Sequence, residues 1–123
     1  MAACDLAVAA EHAQFGLPEP RVGLAALGGG LLQRLPRQIA MKHAMRLVLT
    51  GSRITAHEAL EMGLINEVVP AGELKARVLA IADEVLACAP LAIQASKQVM
   101  LQSLAQADLA APCTRTTKLH SAC

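Results

Sequence analysis

The sequence predicts a mixed α/β chain, with strands in its N-terminal third and a mainly helical remainder. Three observations carry this. Short apolar runs that suit strands cluster before residue 20. Beyond residue 30, apolar side chains recur at steps of three and four, the helical period. The core material is Ala, Leu, Val, Ile and Met, with Phe15 the only aromatic residue, which suits closely packed helices better than a β-sandwich.

DLAVAA (5–10) predicts a short buried strand. QFGLP (14–18) predicts a second extended piece, because Pro18 and Pro20 bias the residues before them towards β or polyproline geometry. From about Gly30 to Leu49 the pattern is helical. Pro36 predicts a break between a short helix and a longer one, RQIAMKHAMRLVLT (37–50), which Gly51 closes. In TAHEALEMGLINEVVP (55–70), Thr55 and Glu58 have the spacing of a capping box, Gly63 stops the helix, and INEVV (65–69) forms a short strand ending at Pro70. In GELKARVLAIADEVLAC (72–88), Leu74, Val78, Ile81 and Val85 fall at steps of four, three and four, one helix face. Pro90 suits a first helical turn and opens PLAIQASKQVMLQSL (90–104). After about Leu109 the character changes, and APCTRTTKLHSAC (111–123) has no period. No internal repeat is visible.

At 123 residues the length is that of one domain or a piece of a larger one. A net charge of +1 without a basic run gives no reason to expect nucleic acid or an anionic membrane surface as a partner. The apolar runs are too short to span a bilayer. MAACDLAVAA lacks a basic leader and is interrupted by Asp5, so no signal peptide is expected. The four cysteines, Cys4, Cys88, Cys113 and Cys123, form no C-x-x-C pair, which speaks against a zinc site or a disulfide framework. Buried free thiols in a reducing cytoplasm are the expectation.

Glu19 is the most informative ionisable residue. Pro18 and Pro20 fix the backbone on either side of it, which helps a carboxylate that has to be held in place. Its apolar neighbours Phe15, Leu17, Val22 and Leu24 would disfavour the charged form, as general acid/base work requires. An exposed turn acid is the competing reading, and on pattern alone it is the commoner one. LGGGLLQRL (27–35) places glycines before a helix, where backbone N–H groups approach a ligand and the helix N-terminus favours negative charge. The glycine spacing fits no nucleotide motif, and a tight turn explains it equally well. His12, His43, His57 and His120 lack a second ligand at metal-binding spacing, so no metal site is expected. Met41 and Met45, four apart, are expected in the core; Arg34, Arg37 and Lys42 are expected on a solvated face.

In order, ACDLAVAAEHAQFGLPEPRVGL, the glycine cluster, QRLPR, AMRLVLTGSRITAHEALEMGLINEVVP and APLAIQASKQ resemble the crotonase superfamily, the enoyl-CoA hydratase/isomerase proteins, over residues 2 to 104. The resemblance implies part of a ClpP/crotonase-like fold, a spiral of ββα turns followed by helices that build a trimer, often paired into hexamers. On that basis residues 1–50 would be the later part of the spiral core, 51–109 a helical oligomerisation region and 110–123 an irregular tail. The implied substrate is an acyl-CoA thioester, with no further cofactor. Its carbonyl would be polarised by two backbone N–H groups, and in hydratases two glutamates would hold and activate a water.

Pro18-Glu19 matches the PE segment that carries one of those glutamates, so the resemblance makes Glu19 the acid/base. Gly28 and Gly29 are the nearest matches to the glycines of the pocket wall, although this chain has one residue more between Gly23 and Gln33 than the usual pattern. Family chains are about twice as long. The first oxyanion loop, the second oxyanion glycine, the other glutamate and most adenine contacts belong to the upstream part, and the tail leaves the pattern after Leu104. Glu11 falls at the far end of the strand and does not replace the other glutamate. The resemblance therefore implies a cytoplasmic hydratase (lyase) or isomerase, homo-oligomeric, and a shortened form with little activity alone. The alternative is a non-catalytic structural or oligomerisation fragment. A fragment of a longer protein, a frame-shifted product and a natural short form would each account for the length.

Overall fold

The computed structural model describes residues 1–25 and 28–104. In chain order the elements are strands β1 (Val8–Ala10) and β2 (Gln14–Gly16), helices α1 (Leu31–Gln38) and α2 (Met41–Thr50), strand β3 (Arg53–Thr55), helix α3 (Ala56–Glu61), strand β4 (Glu67–Val69), and helices α4 (Leu74–Leu86) and α5 (Pro90–Ser103). Short helical turns at Glu19–Val22, Gly28–Gly30 and Ala71–Glu73 connect them. Two compact units divide inside α4, the first being Met1–Leu79 and the second beginning at Ala80.

The strands pair across long sequence separations. β1 lies parallel to β4 in the register Val8↔Glu67, Ala9↔Val68, Ala10↔Val69. Asn66 anchors this register, since its side-chain oxygen accepts from the Ala7 N–H and its own N–H donates to the Ala7 carbonyl, both at 2.8 Å. β2 lies antiparallel to β3 with Phe15 opposite Ile54.

Helix α3 shows how local sequence sets an element. The Thr55 hydroxyl accepts from the Glu58 N–H at 3.2 Å and the Glu58 carboxylate accepts from the Thr55 N–H at 2.9 Å, the capping box expected from the spacing. At the other end Gly63 adopts φ 75°. Its N–H donates to the Leu60 carbonyl, and the Leu64 N–H donates to Ala59 at 2.8 Å, a Schellman closure. Between these ends Ala56 and Ala59 are fully buried, small enough for α3 to lie close to β3 and β4.

The core belongs to the first unit: Ala9, Leu17, Leu35, Ile39, Ala44, Leu47, Ile54, Ala56, Ala59, Met62 and Ile65 form one cluster. Ile54 is its least exposed large side chain at 1%. It sits on β3, a strand that sequence pattern did not predict.

Several expectations are corrected. Pro36 lies inside α1, and the break comes after it, at Ile39, whose backbone is extended. Proline costs one helical hydrogen bond there, but Leu35 before it is held at 2% exposure in the core, and packing overrides the local bias. Met41 and Met45 are exposed, at 54% and 47%. The buried face of α2 is set by Ala44 and Leu47, and Met45 lies about 100° round the helix from Ala44. Cys4 and Cys88 are exposed free thiols, not buried ones; Cys113 and Cys123 lie outside the described residues. On α4, Leu74 and Ile81 are half-buried, but Val78 and Val85 of the same stripe are exposed, at 47% and 42%. The irregular tail expected at 110–123 also falls outside the described residues.

Candidate functional site

The extended piece expected at residues 14–18 stops before Pro18, whose backbone is already helical. β2 ends at Gly16, and Glu19 begins a tight helical turn, Glu19–Val22. Pro18 caps the turn with φ −75° and ψ −9°, its carbonyl accepting from the Arg21 N–H at 3.0 Å. The turn closes where Gly23 takes up φ 74° and the Leu24 N–H donates to the Glu19 carbonyl at 3.0 Å. Helical dihedrals from Pro18 onward bring Arg21 back towards α2, which an extended run would not do.

The Glu19 side chain is half-buried. Its Oε2 is shut off from solvent and has no hydrogen-bond partner among the described residues. Buried polar atoms in folded proteins are nearly always paired, so an orphaned carboxylate oxygen asks for an explanation, and a role towards a ligand is one. The apolar surround expected of it is only half present: Leu17 is buried at 4% exposure, whereas Val22 and Leu24 stand 71% and 63% exposed. Pro18 is exposed and Pro20 half-buried.

Two contacts seat the turn on the end of α2. The Arg21 Nε–H donates to the Thr50 carbonyl at 3.2 Å, one of the last helical carbonyls, which lack an intrahelical donor. Gly51, buried and at φ 58°, ends α2 through its N–H bond to the Leu47 carbonyl. A Cβ there would lie 2.9 Å from Arg21 Cγ and 3.2 Å from the Leu17 carbonyl oxygen, so the bare glycine is what lets both approach. Thr50 fixes the corner further, its hydroxyl donating to the Arg46 carbonyl at 2.6 Å and accepting from the Ser52 N–H at 3.2 Å. Sequence reading used Gly51 only as a helix stop and gave Arg21 no role. Their partner lies 29 positions away for Arg21, and no local spacing signals it.

Gly28 opens the glycine turn, Gly29 adopts φ 67° and is exposed, and Gly30 at φ 69° caps the start of α1. Non-glycine residues rarely adopt such dihedrals, so the cluster turns the chain sharply into the helix. Leu17 from the acid's side and Leu31 from the glycine side both line one apolar cavity of about 90 Å³, with Leu35 and Leu47. Residues two before Glu19 and one after Gly30 thus face a common space.

Among the described residues no group of three His, Cys, Asp or Glu side chains could hold a metal ion. His12 and His57 are exposed and His43 is half-buried on α2; His120 lies outside the described residues. Arg34, Arg37 and Lys42 are exposed, as expected of a solvated face.

Known proteins are similar to this chain in sequence and in fold. The chain is 41% identical over 100 residues to the 2,3-dehydroadipyl-CoA hydratase of Escherichia coli, covering 81% of this chain and 39% of that protein. It is 39% identical over 106 residues to the short-chain-enoyl-CoA hydratase of Clostridium acetobutylicum, covering 86% and 40%. The chain thus spans about two fifths of the length of these curated relatives. Among solved structures, an enoyl-CoA hydratase from Bacillus anthracis superposes with a TM-score of 0.88 at 35% identity, over 95% of this chain and 45% of that one. An enoyl-CoA hydratase from Mycobacterium tuberculosis gives 0.87 at 37% identity, over 97% and 46%. The fold is therefore a partial crotonase-type α/β fold. The family model described as enoyl-CoA hydratase/isomerase matches residues 1–123, so the likeness runs past Leu104, where the motif series ended. On whole-chain match, relatives and fold together, the chain belongs to the enoyl-CoA hydratase/isomerase family.

Proposed function

We propose that this chain carries the acid/base glutamate of an acyl-CoA site, Glu19, and that it corresponds to the later part of a hydratase or isomerase. The observation that carries the reading is the orphaned, solvent-shielded Glu19 Oε2 on a turn braced by two prolines. The names of the relatives supply the substrate class, a coenzyme A thioester. In hydration of a 2-enoyl thioester, hydroxide adds at C3 and a proton at C2. A carboxyl group aimed at that pair of carbons gives up one proton and recovers one from the water, so acid/base chemistry suffices and no further cofactor is called for. Pro18, Gly28 and Gly29 would line the substrate's side of the pocket, with a glycine N–H helping to place the water.

The same reading assigns little activity to the chain alone. Oxyanion donors are worth roughly 3 kcal/mol each in such reactions, and the motif series supplies neither donor nor a second glutamate. A cytoplasmic, homo-oligomeric setting is part of the proposal; the free thiols of Cys4 and Cys88 support its reducing compartment.

The test uses a chimera in which this chain replaces the matching segment of the Escherichia coli hydratase. Glu19→Gln in that chimera is expected to lower 2-enoyl-CoA hydration on the order of 10²–10⁴-fold with the fold intact. An unchanged rate removes the acid/base assignment. A second reading, a non-catalytic oligomerisation fragment, is favoured by the exposed Leu86, Leu91 and Met100 of the helical unit. It is distinguished by self-association of the isolated chain without turnover of the thioester.

A further inference from the structure

We propose that Arg21 and Gly51 are positioning residues for Glu19, acting by clamping its turn against the C-terminal end of α2. The inference rests on the acid/base reading of Glu19 and goes beyond it by naming what aims the carboxylate.

The argument starts from what is left free. Pro18 and Pro20 fix φ on both sides of Glu19, so the main remaining freedom of its backbone is movement of the whole turn. Among the described residues the Glu19 Oε2 has no hydrogen-bond partner, so none of them holds that oxygen directly. What holds it is the frame. Two positions before the acid, the Leu17 carbonyl lies against Gly51; two positions after it, the Arg21 stem lies against the same glycine. Arg21 then reaches past Gly51 to donate to the Thr50 carbonyl at 3.2 Å. That carbonyl is at the negative end of the α2 dipole, where a cation is favoured. Thr50 itself is pinned through its hydroxyl to the Arg46 carbonyl, so the seat belongs to the helix and does not drift with the loop.

The arrangement places flanking points on both sides of Glu19 against Gly51, the residue that ends a core helix. A tilt of the turn about either point alone would break contact at the other. Since displacement of a reacting group by about 1 Å costs on the order of 10²-fold in rate, such a clamp has a direct chemical use.

The experiment is NMR on the isotopically labelled full chain, comparing wild type, Arg21→Ala, Arg21→Lys and Gly51→Ala. Three signals are read: exchange of the Leu24 N–H, which is bonded to the Glu19 carbonyl; the Glu19 side-chain carboxyl carbon resonance; and exchange of the Leu64 N–H, which closes α3, as a control. In Arg21→Ala, Leu24 exchange is expected to speed up about two- to five-fold and the Glu19 resonance to move, with Leu64 unchanged. Arg21→Lys, which keeps a cation at the helix end, is expected to restore both signals in large part. Gly51→Ala, with Arg21 intact, is expected to move the Glu19 resonance as well.

The proposal is overturned if Arg21→Ala leaves Leu24 and Glu19 unmoved, if Leu64 accelerates together with Leu24, or if Lys recovers no more than Ala. Its failure is separable from that of the acid/base reading. A Glu19→Gln chimera of unchanged rate would remove the chemistry and leave the exchange result standing, whereas unmoved signals would remove the clamp alone.

Discussion

Arg77 grips Glu67 through two charge-assisted hydrogen bonds, Nε–H to Oε2 and Nη2–H to Oε1, each 2.6 Å long. The pair joins β4 to the first turns of α4, with side chains 33% and 35% exposed. The two parallel donors of the guanidinium match the two oxygens of the carboxylate, a fit a lysine would not reproduce.

This pair and the capping box make stability depend on acid. Hydrogen bonds from Arg77 hold the Glu67 carboxyl below the ordinary glutamate value near 4.5, against partial burial and with help from the Arg77 charge. Glu58 is lowered too, chiefly by the Thr55 N–H, then by the Thr55 hydroxyl, with Arg46 adding to the effect and burial opposing it. Both carboxyls bind protons more weakly folded than unfolded. Their stabilisation is therefore present above about pH 4.5 and is lost as the pH falls through the lower folded values. Urea midpoints are expected to decline below pH 4.5, and less steeply in Glu67→Gln. Equal slopes in the two proteins would show that the pair does not couple folding to protons.

Gly51 and Gly63 share left-handed dihedrals, φ 58° and 75°, but differ in surroundings. Among the described residues a Cβ on Gly63 meets nothing within 4 Å, so Gly63→Ala carries the backbone term alone, about 1–2 kcal/mol. Gly51→Ala adds the close approach to Arg21 and Leu17 and is expected to cost more. Chemical denaturation of the two variants side by side decides it, and a smaller loss at Gly51 would mean that its neighbours move aside freely.

The core supplies a third expectation. Ile54→Ala empties space at the least exposed large side chain and is expected to cost about 2–5 kcal/mol. Leu49→Ala, at a side chain 75% exposed, is expected to fall within about 0.5 kcal/mol of wild type. Comparable losses at both would displace the core from where the structure has it.

Features set by neighbours in sequence were legible before the structure. Thr55 and Glu58 cap α3, Gly51 and Gly63 end helices, and Pro90 opens α5, because each depends on dihedrals or bonds within about one helical turn. β3 was not legible. Three residues give no alternation to read, and Arg53–Thr55 is a strand because β2 lies beside it, with Phe15 facing Ile54. The exposure of Met41 and Met45 was equally hidden, since α2 could have turned either face inward until Ala44 and Leu47 met the core. The candidate site divides in the same way. Two prolines marked Glu19 locally, but the contact of its turn with Thr50 and Gly51 depends on chain reversal and leaves no mark in either segment.

The helical unit carries the last expectation. Leu86 and Leu91 are each 79% exposed, Met100 69%, Leu104 61% and Leu101 56%. Scattered exposed leucines are ordinary, but this many between Leu86 and Leu104 give an apolar surface that water disfavours. Burying one leucine fully is worth about 1.5–3 kcal/mol, so covering several of these side chains on association outweighs a modest loss of freedom. Light scattering coupled to size-exclusion chromatography is expected to show a mass above one chain that rises with concentration. Leu86→Lys with Leu91→Lys is expected to weaken association by roughly tenfold or more. A single-chain mass at every concentration, or an unchanged profile in the double variant, would leave this surface without the role that its exposure implies.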